Sequence, residues 1–174
     1  MKASIRKSVL KKMKGLEPEN KRKADQALIQ RLRSLSAYKA ASVIATYLSF
    51  PHEVDTSFLI DAAQEDGKQV VIPKTYPKGR MEFAVYDQEL ETNSLGLLEP
   101  EDGTQAIDQS ELTRSMFQVA FQRMYRLGYG GGYYDRYLNF DGATVSTIYA
   151  QGADFAPAPH DIPVQEVLVD ESTI

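Results

Sequence analysis

Four glycines fall within five positions, at Gly128 and Gly130–Gly132, between a cation at Arg126 and a carboxylate at Asp135. Glycine permits backbone conformations closed to other residues and lets a ligand approach the main chain. Ahead of a helix, such a turn can direct N–H groups and the positive helix end towards an anion. A carboxylate in the first helical turn could hold Mg²⁺, which shares oxygen ligands with phosphates. The stretch therefore predicts a phosphate site, although a flexible turn before an ordinary amphipathic helix would have the same composition.

The glycine-rich stretch matches neither of two common phosphate-binding fingerprints. No Lys-Ser or Lys-Thr follows the glycines, as a Walker loop requires. A dinucleotide fingerprint that began at Gly128 would need glycine at position 133, where the chain has Tyr133. Another class of nucleotide-binding protein is therefore indicated.

The composition excludes several kinds of chemistry. The 174 residues include no cysteine, which excludes disulfides, thiolate nucleophiles and Cys-based zinc sites. Two histidines, His52 and His160, are too few for a histidine-rich metal site. No run reaches the roughly 18 to 20 apolar residues of a membrane span, and the basic start lacks the apolar stretch of a secretion signal. We therefore expect a cytoplasmic protein without a membrane partner.

Charge is distributed unevenly along the chain. Residues 1–39 carry a net charge of +9 and the remainder −13, within a total of −4. A basic segment can attract phosphates, nucleic acid or an acidic surface. Solvated lysines on a helix face would give the same asymmetry, and the alternation of aromatic and basic residues typical of nucleic-acid-binding modules is missing. We expect no nucleic-acid partner.

Helical and strand patterns alternate along the chain. Helices are expected at Lys2–Lys14, from Pro18 to about Leu35, from Asp55 or Thr56 to Gly67, and over Tyr133–Phe140. Strands are expected at Ser42–Leu48, Gln69–Pro73, Met81–Tyr86, Met116–Phe121, Thr144–Tyr149 and Glu166–Val169. A glycine in the left-handed conformation would end the helices at Gly15 and Gly67. Strands separated by helices predict a parallel sheet covered on both faces, in one α/β domain over residues 1–174.

The glycine-rich stretch closely resembles the R-x-G-x-G-x-G-Y-Y-D-x-x-L signature of the 5-formyltetrahydrofolate cyclo-ligase family. Independent matches to the family occur in the same order along the rest of the chain, from Lys2 to about Val169. They are Lys2 and Arg6, Leu48-Ser49 with Glu53–Thr56, Gly67–Pro73, Met81 and Phe83, Gly96–Pro100, Gln151, and His160–Pro163.

The resemblance implies a three-layer α/β/α sandwich with a mostly parallel central sheet. It also implies that the enzyme converts ATP and 5-formyltetrahydrofolate to 5,10-methenyltetrahydrofolate, ADP and phosphate, with Mg²⁺ as cofactor. The formyl oxygen would attack the γ-phosphate, after which N10 of the folate would close the ring. Both partners are then small molecules. The oligomeric state stays open, and a monomer is compatible with the sequence.

The resemblance also assigns roles to some of the matched residues. The residues that would contact ATP are Lys2, Arg6, Arg126, Leu127, Gly128, Tyr129, Gly130, Gly131, Gly132, Tyr133 and Tyr134. Catalytic roles fall to Arg126, Tyr134 and Asp135, and Mg²⁺ would be held by Asp135 and Asp161. Glu53 would hydrogen-bond the pterin, while Leu48 and Met81 would give the folate apolar contacts. His52 matches no functional position.

One segment, residues 114–125, departs from the family pattern. Phe117 stands at the family's proline position, Gln122 at its aspartate position, and no glycine precedes Tyr125. The apolar and β-forming residues between Met116 and Phe121 are still expected to form a strand. Without the proline and glycine, we expect the following loop to capture ATP less well.

Two alternatives from other classes remain at this point. A sugar-phosphate isomerase or a CoA-transferase-like enzyme could share this kind of sheet without using ATP, because a fold does not fix a function. A non-enzymatic nucleic-acid-binding module could use the basic first 39 residues. Dependence on ATP hydrolysis would separate the first alternative, and strongly salt-dependent binding the second.

Overall fold

The computed structural model describes residues 2–86, 89–94, 96–108, 115–120, 133–137, 143–149 and 156–173. Within these ranges, the side chains of residues 2, 115–120, 135 and 173 are not described. None of the described helices combines the length and the apolar character needed to cross a bilayer.

A six-stranded sheet forms the centre of the protein, in the order β3-β2-β1-β6-β7-β8. Its strands are β1 (Val43–Ala45), β2 (Gln69–Tyr76), β3 (Arg80–Val85), β6 (Ser115–Ala120), β7 (Ala143–Ile148) and β8 (Glu166–Val169). Neighbouring strands are parallel except for β2 and β3, which are antiparallel and joined by a short 3₁₀ turn at Pro77–Gly79. A separate antiparallel pair consists of β4 (Leu90–Thr92) and β5 (Leu98–Pro100). The prediction of a mostly parallel sheet is therefore confirmed.

Helices cover both faces of the sheet. They are α1 (Lys2–Lys14), α2 (Pro18–Ser34), α3 (Ser36–Ala40), α4 (Ser57–Glu65) and α5 (Tyr133–Tyr137), with a final 3₁₀ turn at Glu171–Thr173. On one face, Leu28 of α2 and Leu59 of α4 pack with Ile44 and Ile72 of the sheet; we call this the α2/α4 cluster. On the other face, Val71 and Phe83 of the sheet lie in a second cluster, against which the tyrosines of α5 pack; we call this the α5 cluster. The predicted three-layer sandwich is confirmed.

The helix boundaries follow local signals in the sequence. Pro18 occupies the first turn of α2, where its missing N–H is harmless, and the Glu17 carboxylate accepts hydrogen bonds from the N–H groups of Glu19 and Asn20. Gly67 follows α4 with φ of 70°, as expected for a left-handed helix end. Helix α1 ends at Lys14 as predicted, but the proposed reason is wrong because Gly15 does not have positive φ.

Two elements had no clear signal in the sequence. Helix α3 has five residues, and the β4–β5 hairpin has three residues per strand, which is too short for a hydrophobic period to be recognised. The strand at Ser115–Ala120 is confirmed despite the substitutions around it. Of the predicted helix Tyr133–Phe140, the structure confirms the part up to Tyr137, and residues 138–140 lie outside the described part of the chain.

Candidate active site

The order of the strands points to one place on the sheet. From β1 the order proceeds to β2 and β3 on one side and to β6, β7 and β8 on the other. In open α/β sheets, ligands bind at the carboxyl ends of the strands where the order reverses in this way. Residues 46–56, which we call the Glu53 segment, follow β1 at that point, and β6, which pairs with β1 in parallel, ends there at Ala120. The topology therefore places the Glu53 segment beside the carboxyl end of the strand that precedes the glycine-rich stretch in the sequence.

The segment after β1 is closely held. Thr56 donates from Oγ1 to the Tyr47 carbonyl and accepts from the Ser49 N–H at 3.2 Å. The Ser49 hydroxyl in turn accepts from the Thr56 N–H at 3.2 Å. Inside this closed segment, Glu53 is 5% exposed, and its Oε2 accepts from the N–H of Phe50 at 2.8 Å. The predicted pterin ligand is thus a buried carboxylate in a fixed turn.

A second network ties this segment to the rest of the protein. The Tyr149 hydroxyl, just beyond β7, donates to Oδ1 of Asp25 in α2 and lies 3.2 Å from the Glu53 carbonyl oxygen. Asp25 is 1% exposed, and its Oδ2 lies 2.6 Å from Nζ of Lys21, one helical turn earlier. Burial, with the hydrogen bond to Asp25, raises the pKa of Tyr149. The phenol therefore stays protonated and ties the end of β7 to α2, beside the Glu53 segment.

The α5 cluster brings together residues from both predicted substrate sites. Met81 is 6% exposed and belongs to this cluster, and Tyr133 and Tyr134 of α5 pack against it. Leu48, by contrast, is half-buried and packs against the α2/α4 cluster on the other face. The structure thus joins Met81 to the predicted ATP-binding tyrosines, but it places Leu48 in a different cluster.

Asp161 lies at a turn beside the α5 cluster. Its Oδ2 accepts from the N–H of Ala158 at 2.7 Å, and its Oδ1 lies 3.6 Å from Nε2 of the exposed His160. Its neighbour Ile162 packs against the α5 cluster. Among the residues that the structure describes, no group of three or more acidic or histidine side chains could hold a metal ion. The backbone of Asp135 lies in α5, and its side chain lies outside the described set.

The two N-terminal cations lie in α1, as predicted. Lys2 begins the helix and Arg6 follows four positions later, so both are on one helical face. Arg6 is half-buried, while the Lys2 side chain is not described. The first turn of α1 contains no acidic residue. The remaining predicted ATP contacts, Arg126–Gly132, lie outside the described residues.

A cleft of about 680 Å³ lies where α1, α2 and the Glu53 segment meet. Its polar lining includes Lys14, Arg22, the Lys21–Asp25 pair and His52. The His52 ring stacks on Phe50, with ring centroids 5.6 Å apart, and burial lowers the pKa of His52. No motif or periodic pattern in the sequence indicated this cleft.

A family model described as the 5-formyltetrahydrofolate cyclo-ligase family matches residues 1–170. The chain belongs to the 5-formyltetrahydrofolate cyclo-ligase family. The resemblance stated from the motifs is therefore confirmed, and with it the prediction of an enzyme of this type.

Individual relatives agree with this assignment. The 5-formyltetrahydrofolate cyclo-ligase of Haemophilus influenzae is 31% identical over 178 residues, which cover 95% of each chain. The Escherichia coli K12 protein of the same name is 33% identical over 137 residues, or 75% of each chain.

Solved structures show the same cyclo-ligase fold. The Aquifex aeolicus 5,10-methenyltetrahydrofolate synthetase has a TM-score of 0.79 and 26% identity, covering 98% of this chain and 90% of that one. The Mycoplasma pneumoniae 5,10-methenyltetrahydrofolate synthetase has a TM-score of 0.76, covering 96% and 97% of the two chains. Its 24% identity supports the fold alone.

Two buried charged residues, Asp25 and Lys74, lie outside the cyclo-ligase motifs found in the sequence. Asp25 lies on the apolar face of α2, and Lys74 lies at an inward position of β2 after Val70 and Ile72. Each could have been predicted to be buried, because each is a charged residue at a position where the pattern of its helix or strand expects an apolar one. In each case an oppositely charged residue is available as a partner.

Proposed function

We propose that this chain catalyses the ATP-dependent conversion of 5-formyltetrahydrofolate to 5,10-methenyltetrahydrofolate, with release of ADP and phosphate. The observation that carries the proposal is the match to the cyclo-ligase family over residues 1–170. The topology supports it, because the Glu53 segment leaves β1 beside the carboxyl end of β6, at the switch point of the sheet.

The reaction requires two steps that balance without a nucleophile from the protein. The formyl oxygen attacks the γ-phosphorus, the bond to ADP breaks, and a phosphate ester forms on the formyl carbon. N10 then attacks that carbon, the ring closes, inorganic phosphate leaves with the former formyl oxygen, and N10 loses its proton. The protein's task is to position the reactants and stabilise charge. The absence of cysteine from the sequence is compatible with such a mechanism.

Lys2, Arg6 and residues 126–134 would bind ATP. Lys2 and Arg6 lie one turn apart on the same face at the start of α1. Two cations at this spacing can attract the phosphates of ATP, which supports an anionic ligand. Arg126 and Tyr134 would act on the phosphoryl group in transfer.

Asp135 and Asp161 would hold Mg²⁺, whose preferred ligands are oxygens shared with substrate phosphates. Asp161 suits this role because its carboxylate is oriented by a hydrogen bond from the Ala158 N–H to Oδ2. When bound, the ion would neutralise charge on the phosphates.

Glu53 would bind the pterin, since a carboxylate matches the paired donors of an aminopyrimidine. Met81 and Leu48 would contact the folate from the two faces of the sheet. The chain would act as a single domain over residues 1–174, in the cytoplasm, on small molecules alone. The family assignment favours this activity over a sugar-phosphate isomerase, a CoA-transferase-like enzyme or a nucleic-acid-binding module.

An absorbance assay for methenyltetrahydrofolate formation tests the proposal. The purified chain should form product from 5-formyltetrahydrofolate only when both ATP and Mg²⁺ are present, with one ADP released per product. Product formation without ATP, or ATP hydrolysis without product, would contradict the proposed function.

A further inference from the structure

The β4–β5 hairpin places a buried carboxylate against the end of β2. Glu99 is 5% exposed, and its Oε2 accepts three hydrogen bonds. The donors are the Thr75 N–H at 3.1 Å, the Thr75 hydroxyl at 3.0 Å and the Asn93 side-chain amide at 3.1 Å. Glu99 belongs to the Gly96–Pro100 motif, to which the proposed reaction gives no role.

The Thr75 N–H would otherwise lack a partner in the sheet. Strand β1 covers β2 only from Gln69 to Val71, and the Thr46 N–H makes the last contact there, 3.0 Å from the Val71 carbonyl. Alternate residues of a strand direct their backbone groups to the same edge. The Thr75 N–H therefore points to the edge of β2 beyond the end of β1. There the Glu99 carboxylate accepts its hydrogen bond in place of a neighbouring strand.

The hairpin also holds Lys74, the residue before Thr75. Nζ of Lys74 lies 2.6 Å from Glu91, 2.5 Å from the Pro100 carbonyl oxygen and 3.1 Å from Asp102. The Lys74 side chain is 5% exposed and, following Val70 and Ile72, lies on the face of the α2/α4 cluster. The end of β2 is thus fixed from both faces by one hairpin.

Thr75 connects this hairpin to the proposed folate site. It pairs directly with Met81 in the antiparallel β2–β3 ladder, so the two side chains lie side by side on the same face. That face carries the α5 cluster, against which Tyr134 packs. A shift of Thr75 would therefore displace Met81, which forms one side of the proposed folate site.

We propose that Glu99 is a positioning residue for folate binding, which acts through Thr75 on Met81 and does not touch the substrate. The inference rests on the proposed function, because it assumes that Met81 contacts folate. It requires an acceptor oxygen at position 99 and assigns no role to the charge, because the three described contacts are hydrogen bonds to Oε2.

Three variants test this proposal in the complete protein: Glu99→Ala, Glu99→Gln and Glu101→Ala as the control. Glu101 is exposed in the same hairpin region, so its substitution should change neither KM. Glu99→Ala should raise KM for 5-formyltetrahydrofolate roughly 10-fold or more, because Met81 would be displaced. KM for ATP should not change. Glu99→Gln keeps one acceptor oxygen and should restore KM for folate to within about 2-fold of the wild-type value.

Amide hydrogen exchange provides a readout independent of activity. The Thr75 N–H should exchange at least about 10-fold faster in Glu99→Ala than in the wild type, and Glu99→Gln should restore its protection. If Glu99→Ala only destabilised the fold, the variant would be less stable and its KM values for ATP and for folate would rise alike. That result would overturn the proposal. If Glu99→Gln were folded but as impaired as Glu99→Ala, the charge itself would be required and the proposal would be wrong.

The two proposals fail in different ways. A wild-type protein without cyclo-ligase activity would contradict the proposed function, whatever the variants do. An active wild type with unchanged folate KM in Glu99→Ala would contradict the role of Glu99 alone.

Discussion

The hydroxyl of Tyr149 donates its single proton to the buried carboxylate of Asp25, although the Glu53 carbonyl oxygen also lies within reach at 3.2 Å. The bond to Asp25 is the stronger one, because hydrogen bonds to ionised acceptors are shorter and stronger than those to neutral carbonyls. Lys21 supplies the positive charge that keeps Asp25 stable as a buried anion. Tyr149 is therefore fixed to α2 through Asp25, and its hydroxyl lies beside the Glu53 segment without donating to it.

Replacement of Tyr149 by Phe should destabilise the protein by about 1–3 kcal/mol, because it leaves the buried Asp25 oxygen without a donor. The ring still fills its place in the α2/α4 cluster, so the loss can be assigned to the hydroxyl. Urea unfolding of both proteins measures the difference. The control is Tyr86→Phe, which removes a hydroxyl from a ring packed against the same cluster. Equal stabilities for Tyr149→Phe and the wild type would show that the Asp25 bond contributes nothing.

Glu53→Gln should weaken 5-formyltetrahydrofolate binding at least about tenfold, since hydrogen bonds to charged acceptors contribute about 1.5–3 kcal/mol. The amide oxygen can still accept from the Phe50 N–H, so the turn should persist. Calorimetric titration with folate and with ATP separates the effects, and ATP affinity should not change.

Asp55→Asn is the matched control for Glu53→Gln. Asp55 lies two residues later, and its Oδ1 accepts from the Ser57 N–H, a contact that an amide oxygen can keep. Folate affinity should therefore match the wild type in this control. A loss of folate affinity that was equal in the two variants would mean that Glu53 has no special role.

Asp135→Asn and Asp161→Asn should each reduce turnover roughly 100-fold, because a bound metal contributes several kcal/mol to charge stabilisation. Both variants should need more Mg²⁺ for half-maximal rate. In Asp161→Asn the amide oxygen can still accept from the Ala158 N–H, so the fold around the turn should remain. Direct titration with Mg²⁺ in the presence of ADP gives a second readout. Wild-type Mg²⁺ dependence in either variant would remove that residue from the proposed metal site.

His52 should titrate below its usual pKa of 6.5, because partial burial disfavours the imidazolium. The unfolded chain then binds more protons than the folded one below pH 6.5. The contribution of His52 to stability is therefore present above pH 6.5 and is lost as the pH falls through the folded pKa. NMR titration checks the pKa, and His160→Gln assigns the resonance by leaving one histidine. A His52 pKa at or above 6.5 would contradict this prediction.

Long, strongly patterned segments allowed most of the fold to be predicted. The apolar stripe of α2 and the β-branched runs of β1, β2 and β7 each specify their own structure. The antiparallel direction of β3 was not predicted, since an alternating strand pattern has no direction. It depends on the tight turn at Pro77–Gly79, where both Lys78 and Gly79 have positive φ.

The candidate site was predicted less completely than the fold. Family motifs pointed to Glu53, Met81 and Asp161 as ligands of folate and Mg²⁺, and these roles stay predictions. The contacts of Asp25 with Tyr149 and of Glu99 with Thr75 join residues distant in sequence, and no local pattern encodes such contacts. Whether the departure at residues 114–125 weakens ATP capture stays a prediction, since the strand is confirmed and the loop lies outside the described residues.

The position of β1 in the sheet has a consequence for how the protein folds. Val43 pairs with Gln69 on one side and with Ser115 on the other, so the first pairing closes a short loop and the second a much longer one. Longer loops lose more entropy on closure, and long-range strand pairing is slow. We expect β1–β3 to assemble early and β6 to dock late, during which time one edge of β1 is exposed to pairing with other chains. The crevice between β1 and β6 would then form in the final step of folding.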